Sequence, residues 1–207
     1  MESLKEIRAV TTNLPAFDML RYLLKEKFPG QAVVTASLKS PSVVVLKMVS
    51  DIDPATPVVF CHPRSVFPES ETYREQLVKL FGLSNVKVVT QSDSMDGKRA
   101  FVRSEKLLNE AHGNTGGSWE TIHLHNTLAP YKCWIKAVYH ERPDEPSEQR
   151  VDCYADMVTV NLLRRRSTAV IDRFMKDHDL PYHPKISRQK ELVTFTPSDE
   201  PMTAYHF

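Results

Sequence analysis

Ala32-Val33-Val34-Thr35-Ala36-Ser37-Leu38-Lys39-Ser40-Pro41-Ser42, followed by Val43-Val44-Val45-Leu46-Lys47-Met48-Val49, decides the fold. A short apolar run ends in polar turn residues. It then passes into a helical pattern opened by Pro41, a residue suited to a helix's first turn. The same unit recurs in Thr56-Pro57-Val58-Val59-Phe60-Cys61-His62-Pro63-Arg64, which runs into Phe67-Pro68-Glu69. Strand and helix alternating over short links predict an α/β fold with a doubly wound, mostly parallel sheet. Ligands of such sheets bind outside the carboxyl ends of the strands, so the ends of strands one and two are expected to bound a site.

Working outward, Phe17, Leu20, Leu23, Leu24 and Phe28 recur at helical spacing and predict a helix over 15–28, stopped by Pro29-Gly30. Strands are expected at 32–36, 58–61 and 86–89. Helices are expected from Pro41 to about Ser50 and from Glu69 to Phe81, the second turning Tyr73, Leu77 and Leu80 inward and ending at Gly82. Residues 99–112 and 119–130 read as helical, separated by Gly113-Asn114-Thr115-Gly116-Gly117. Residues 133–139 read as a strand, 140–150 as a charged loop and 153–163 as a strand region. Ser167 then caps a helix reaching His178, with Val170, Ile171 and Phe174 inward. The tail after Pro184 is polar, with one β-like patch at 192–195. With no internal repeat and no composition break, a single domain over 1–207 is expected.

The 207 residues carry a net charge of +1, so no whole-molecule field favours nucleic acid or an anionic membrane. The opening Met1-Glu2-Ser3-Leu4-Lys5-Glu6 is charged, and no stretch has the length of a membrane span. A cytoplasmic location is therefore expected, and homo-oligomerisation stays open. Cys61, Cys133 and Cys153 are odd in number and form no C-x-x-C pair. No disulfide framework, zinc ribbon or thioredoxin-type redox pair is expected from them, and no cofactor is evident.

Several residues carry possible chemistry. Ser37, Lys39, Ser40 and Ser42 sit where a phosphate loop would sit, before a helix N-terminus, yet the turn has no glycine. The other reading is a capped turn. Cys61-His62 could be a thiolate–imidazole pair, but neighbours in an extended segment point to opposite sides, and a buried apolar cysteine competes. His123-x-His125 with His112 and His140 lacks a recognised metal spacing. Arg164-Arg165-Arg166 suits phosphate or a solvated surface equally.

Together these segments resemble the phosphoadenylyl-sulfate (PAPS) and adenylyl-sulfate reductase family of the adenine nucleotide α-hydrolase-like superfamily. The family's S-[FL]-G-x-E-D loop, followed by a run like A-V-L-L-H-L-V-S, is echoed by Ser37–Ser42 and Val43–Ser50. Its D-P-x-x-P-V-I-F-L-D-T-G-x-x-F-P-E-T block, continuing to Y-R-x-E-L, is echoed by Asp53–Arg64, Phe67-Pro68-Glu69 and Thr72–Leu77. A late N-P-L-x-x-W-S and H-x-L-x-x-H-P block is echoed by Asn161-Leu162-Leu163, Arg166-Ser167 and His178–Pro184. The resemblance runs from about Gln31 to Pro184.

It implies an adenine nucleotide or sulfonucleotide ligand at the strand ends. Ser37, Lys39, Ser40 and Ser42 would contact phosphate, His62 and Arg64 would line the opposite wall, and Arg142 and Arg150 would stand in for family arginines. The departures fall where the family's function resides. Lys39 replaces the loop glycine, Pro41-Ser42 the acidic pair, and His62-Pro63-Arg64 the Asp-Thr-Gly. The arginine-rich segment expected after Trp134-Ile135 reads Val138-Tyr139-His140-Glu141-Arg142. The family's nucleophile is a cysteine in an E-C-G-I-H-like segment, and its S-sulfonate is reduced by thioredoxin. No cysteine follows Pro184, and the paired cysteines that hold an iron–sulfur cluster in the resembled adenylyl-sulfate reductases are missing, so no such cluster is expected. The expectation is a divergent nucleotide-binding member that does not perform this reduction. The alternative is an active reductase with a rearranged catalytic cysteine, Cys61, which would need thioredoxin. A flavin adenylyltransferase of the same superfamily would need a glycine-rich loop and metal-binding acids that have no place here.

Overall fold

The computed structural model describes residues 2–62, 67–90, 126–137, 150–154, 156–164, 166–186, 193–195 and 201–203. Helices α1 (Glu2–Thr11) and α2 (Ala16–Tyr22) lead through a π-helical turn, Leu23–Lys27, into β1 (Ala32–Ala36). There follow α3 (Ser40–Ile52), β2 (Val58–His62), α4 (Pro68–Leu80) and β3 (Val86–Thr90). Beyond these come β4 (Cys133–Lys136), β5 (Val151–Tyr154), β6 (Met157–Asn161) and α5 (Thr168–Asp177). A separate antiparallel pair joins β7 (Val193–Phe195) to β8 (Pro201–Thr203).

The main sheet has six strands in the order β3-β2-β1-β4-β6-β5. All neighbours run parallel except β5 against β6. The sheet is thus doubly wound and mostly parallel, as the alternating pattern predicts. The strand region expected over 153–163 is instead a hairpin: Tyr154 faces Met157, so the chain reverses between them. Val151–Tyr154 and Met157–Asn161 are each too short to betray the reversal by periodicity alone.

Pleating sends alternate residues to two faces. Val34, Ala36, Phe60, Ile135 and Val160 face one way, into a core shared with α1 to α5. Val33, Val59, Cys61 and Trp134 face the other way, against Leu128 and Tyr131. Leu128 ends a helical turn at residues 126–128, the described part of the helix expected over 119–130, and Tyr131 lies just beyond it. The expected elements over 91–118 lie outside the described residues.

Helix burial departs from the expectation at three positions. Phe17, Leu80 and Val170 are 37%, 55% and 49% exposed. On α5 the inward stripe is Ile171 and Met175, with Phe174 at its margin. Val170 lies about 100° around the helix from Ile171 and so turns toward solvent. Helix α1 was not anticipated, because its polar sequence offers a single fully buried anchor, Ile7. Among the described residues no helix is long and apolar enough to cross a membrane.

Two helices end in the same way with different residues. After α4, Gly82 N–H donates to Lys79 O and Leu83 N–H to Val78 O, with Gly82 at φ +61°. After α5, Asp179 N–H donates to Lys176 O and Leu180 N–H to Met175 O, with Asp179 at φ +48°. Both are paired-bond terminations that require a left-handed residue, which glycine adopts without strain. No atom lies within 4 Å of a Cβ built at Gly82, so conformation alone governs that site. We expect Gly82→Ala to destabilise by roughly 1 kcal/mol, and Asp179→Gly to stabilise by a smaller amount. Urea midpoints of the two variants check both signs.

Candidate functional site

Helix α3 carries the chain from β1 to β2, while β4 lies on the other side of β1. The strand order therefore reverses between β1 and β4, and a doubly wound sheet opens its crevice at that reversal. The sequence reading bounded the site with the ends of β1 and β2. The sheet places β4 on the other flank of β1, a neighbour that local sequence pattern does not encode.

The β1–α3 loop is held by its serines. Ser42, 1% exposed, donates through Oγ to Ala137 O at 3.0 Å. The same Oγ accepts the Ser37 N–H at 2.9 Å and lies 3.0 Å from Ser37 Oγ. Ser37 Oγ in turn accepts the Lys39 N–H at 3.3 Å. These bonds tie the Ser37 and Lys39 amides and the two hydroxyls into the loop itself. Lys39 has φ −86°, an ordinary extended value, so the glycine of the resembled loop is not required by the backbone here. Burial pushes the Lys39 ammonium below its ordinary pKa. Ser40 and Pro41 open α3 beside it, both part-buried.

A second group lies on the other face. Thr35, Lys136 and Asn161 are register partners across β1, β4 and β6. Trp134 donates its indole N–H to Thr35 Oγ1 at 2.8 Å, and Lys136 Nζ sits 4.3 Å from the Trp134 ring centroid. Asn161 Oδ1 is buried and accepts no hydrogen bond. Leaving such an acceptor unmet costs about 1–3 kcal/mol. The sequence reading missed Thr35, Trp134, Lys136 and Asn161 as a group. Apart from the place of Asn161 in the family's late block, their signal was position: each stands in or at the end of a strand, and what unites them is the cross-strand register.

The remaining candidates scatter. Cys61, near the carboxyl end of β2, is 5% exposed among Val33, Val59, Leu128 and Trp134. Cys133 opens β4 at the amino edge, fully buried, where desolvation pushes its thiol up to about 12. Cys153 is exposed but pairs with Val158 near the start of β6, again toward the amino edge. His62 ends β2; Arg64, Arg142 and the His112, His123, His125 and His140 set lie outside the described residues. Arg150 donates to Leu14 O at 2.7 Å and to Thr11 O and Leu162 O at 3.4 Å each, tying the α1–α2 turn to the end of β6. Burial, and then the charge of Arg166, lower its pKa. No group of three or more metal-ligating side chains occurs among the described residues.

The segment after α5 docks onto the start of α4. Tyr73 O–H donates to Pro181 O at 2.7 Å, and its ring meets His183 edge-on at 5.0 Å. His183 Nδ1 accepts the Lys185 and Ile186 N–H groups at 3.1 Å each, so that nitrogen carries no proton. Nε2–H is then the donor toward Ser70 Oγ at 3.0 Å. Burial lowers the His183 pKa, and Glu69 partly opposes the shift.

The chain matches the family model for the phosphoadenosine phosphosulfate reductase domain over residues 31–184. The chain belongs to this family. Its relatives include the adenosine 5'-phosphosulfate reductase of Mesorhizobium japonicum, 22% identical over 94% of this chain and 76% of that protein. The enzyme of that name from Chelativorans sp. is 24% identical over 84% of this chain and 70% of its own length. Among solved structures, the phosphoadenylyl-sulfate reductase of Candida auris aligns over 88% of this chain and 89% of that one, with 13% identity and a TM-score of 0.62. The FMN adenylyltransferase of Candida glabrata, solved with ATP, aligns over 86% of this chain and 58% of that one at 15% identity, with a TM-score of 0.51. Both structural likenesses establish the fold.

Two outcomes follow from this geometry. Ser42→Ala strands the Ala137 carbonyl and the Ser37 N–H, and should cost about 1–3 kcal/mol in urea unfolding. For His183 the folded pKa lies below the unfolded value, so its contribution is complete above about pH 6.5 and fades as pH falls toward the folded value. Stability measured from pH 7.5 down to 5 should therefore fall more in the parent than in His183→Asn, whose amide oxygen can accept the same N–H groups without titrating.

Proposed function

We propose that this chain binds an adenine nucleotide or adenine sulfonucleotide in the crevice at the carboxyl ends of β1 and β4, and uses none of its three cysteines as a nucleophile there. The observation carrying this reading is the convergence at the strand-order reversal of the Ser42-locked loop, Lys39 and the Thr35–Lys136–Asn161 row. Family membership and the names of the relatives supply the ligand class. Lys39, with its cation drawn into a part-buried setting, and Ser40 are the phosphate contacts of the loop; Ser37 and Ser42 shape it. His62, the last residue of β2, is assigned to the rim with Arg64 and Arg142, which follow β2 and β4 in the sequence.

The thiol part of the proposal rests on placement. A nucleophilic thiolate needs exposure and electropositive surroundings. Cys61 is near the crevice but sealed in an apolar cluster, and Cys133 and Cys153 stand toward the opposite edge.

Calorimetry of the purified chain with phosphoadenylyl sulfate, adenylyl sulfate, ATP and AMP tests the reading. The expected result is micromolar binding of at least one of them, unchanged in Cys61→Ser, with no thioredoxin-dependent sulfite release from the sulfonucleotides. Failure to bind any of the four overturns the ligand class. Sulfite release that disappears in Cys61→Ser overturns the thiol part alone and establishes Cys61 as a nucleophile.

A further inference from the structure

Lys136 and Asn161 stand side by side on the second face of the sheet, at the carboxyl ends of β4 and β6. The Lys136 ammonium rests over the Trp134 ring, which attracts the cation electrostatically and occupies none of its N–H donors. The ring itself is fixed by the bond from its N–H to Thr35. Asn161 Oδ1 is the one buried side-chain polar atom without a hydrogen bond among the described residues. Buried acceptors are satisfied as a rule, and an exception calls for an explanation such as a ligand. Stacking on Trp134 accounts for the position of Lys136 but says nothing of the Asn161 oxygen beside it.

We propose that Lys136 and Asn161 form a two-point grip on the sugar–phosphate part of the bound nucleotide. Lys136 takes an anionic phosphate oxygen, and Asn161 Oδ1 accepts a ribose O–H. The inference rests on the reading of the crevice as a nucleotide site and names two of its specificity residues. The two side chains spring from neighbouring strands about 4.8 Å apart. A ribose hydroxyl and the phosphate on the same sugar are close neighbours and suit that spacing; base and phosphate lie at opposite ends of the nucleotide. Lys136 would then supply the positive charge that the sequence reading sought in Arg142 and Arg150, the latter being occupied with backbone carbonyls.

The test compares AMP, adenosine and 2',3'-dideoxyadenosine 5'-monophosphate by calorimetry on the full chain. The parent should bind AMP about tenfold more tightly than either of the others, one charged or buried hydrogen bond being lost in each case. Lys136→Met should lower AMP affinity to the adenosine level and leave adenosine unchanged. Asn161→Leu should lower AMP affinity to the dideoxy level and leave the dideoxy compound unchanged. Without nucleotide, Asn161→Leu should unfold at the parent's urea midpoint or above it, because an unmet acceptor has been removed. A lower midpoint, with all three ligands weakened equally, would assign Asn161 a structural role and overturn the grip. If the parent distinguishes the ligands and both variants do so equally well, the grip fails while the nucleotide site stands. If the parent binds none of the three, both fail together.

Discussion

The Ser42 hydroxyl lies where two independently wound halves of the sheet meet. Strands β2 and β3 build outward from one side of β1, and β4, β6 and β5 from the other. Apart from the β1–β4 ladder itself, the Ser42 bond to Ala137 ties the start of α3 to the end of β4 at that seam. Its acceptance of the Ser37 N–H fixes the loop between β1 and α3 in the same stroke. Buried at 1% exposure, the bond is shielded from competing water, and either partner left alone would carry a desolvation penalty. The placement of Lys39 in that loop depends on it.

Around that seam the polar groups divide into two kinds. Ser37, Ser42, Arg150, Ser70 and His183 have their hydrogen bonds met by the protein and serve to hold loops and termini to the sheet. Asn161 Oδ1 has none, and the Lys39 ammonium is partly stripped of water. Asn161 Oδ1 lies at the carboxyl edge, opposite the amino edge where Cys133 is sealed away. Stability given up locally at a prospective ligand site is the usual form of a trade between folding and binding.

Much of the architecture was legible because each strand and helix advertised itself locally. The Val-rich run of β1, the proline at the start of α3 and the glycine after α4 placed their elements within a residue or two. Long-range order was not legible. The hairpin of β5 and β6, and the neighbourhood of β1 with β4, depend on pairing that no window of sequence contains. The family motif drew attention to Ser37 and Ser42, and the structure shows their hydroxyls bonded within the loop and to Ala137. Lys136 drew none, and Asn161 was noted only within the family's late block: a lysine at a strand end and an asparagine after a valine look like surface until the register sets them side by side. The family match places the chain among phosphoadenosine phosphosulfate reductase domains.

The most direct measurement is an NMR titration of the labelled chain with AMP, following the Trp134 indole N–H and the backbone amides. The account predicts that the indole resonance shifts together with the amides of Ser37–Ser40, Lys136 and Asn161. Gln31, Asn85 and Cys153, at the opposite edge, should stay still. Shifts confined to that opposite edge, or to the end of β2 with the Trp134 indole unmoved, would contradict a site at the β1–β4 reversal.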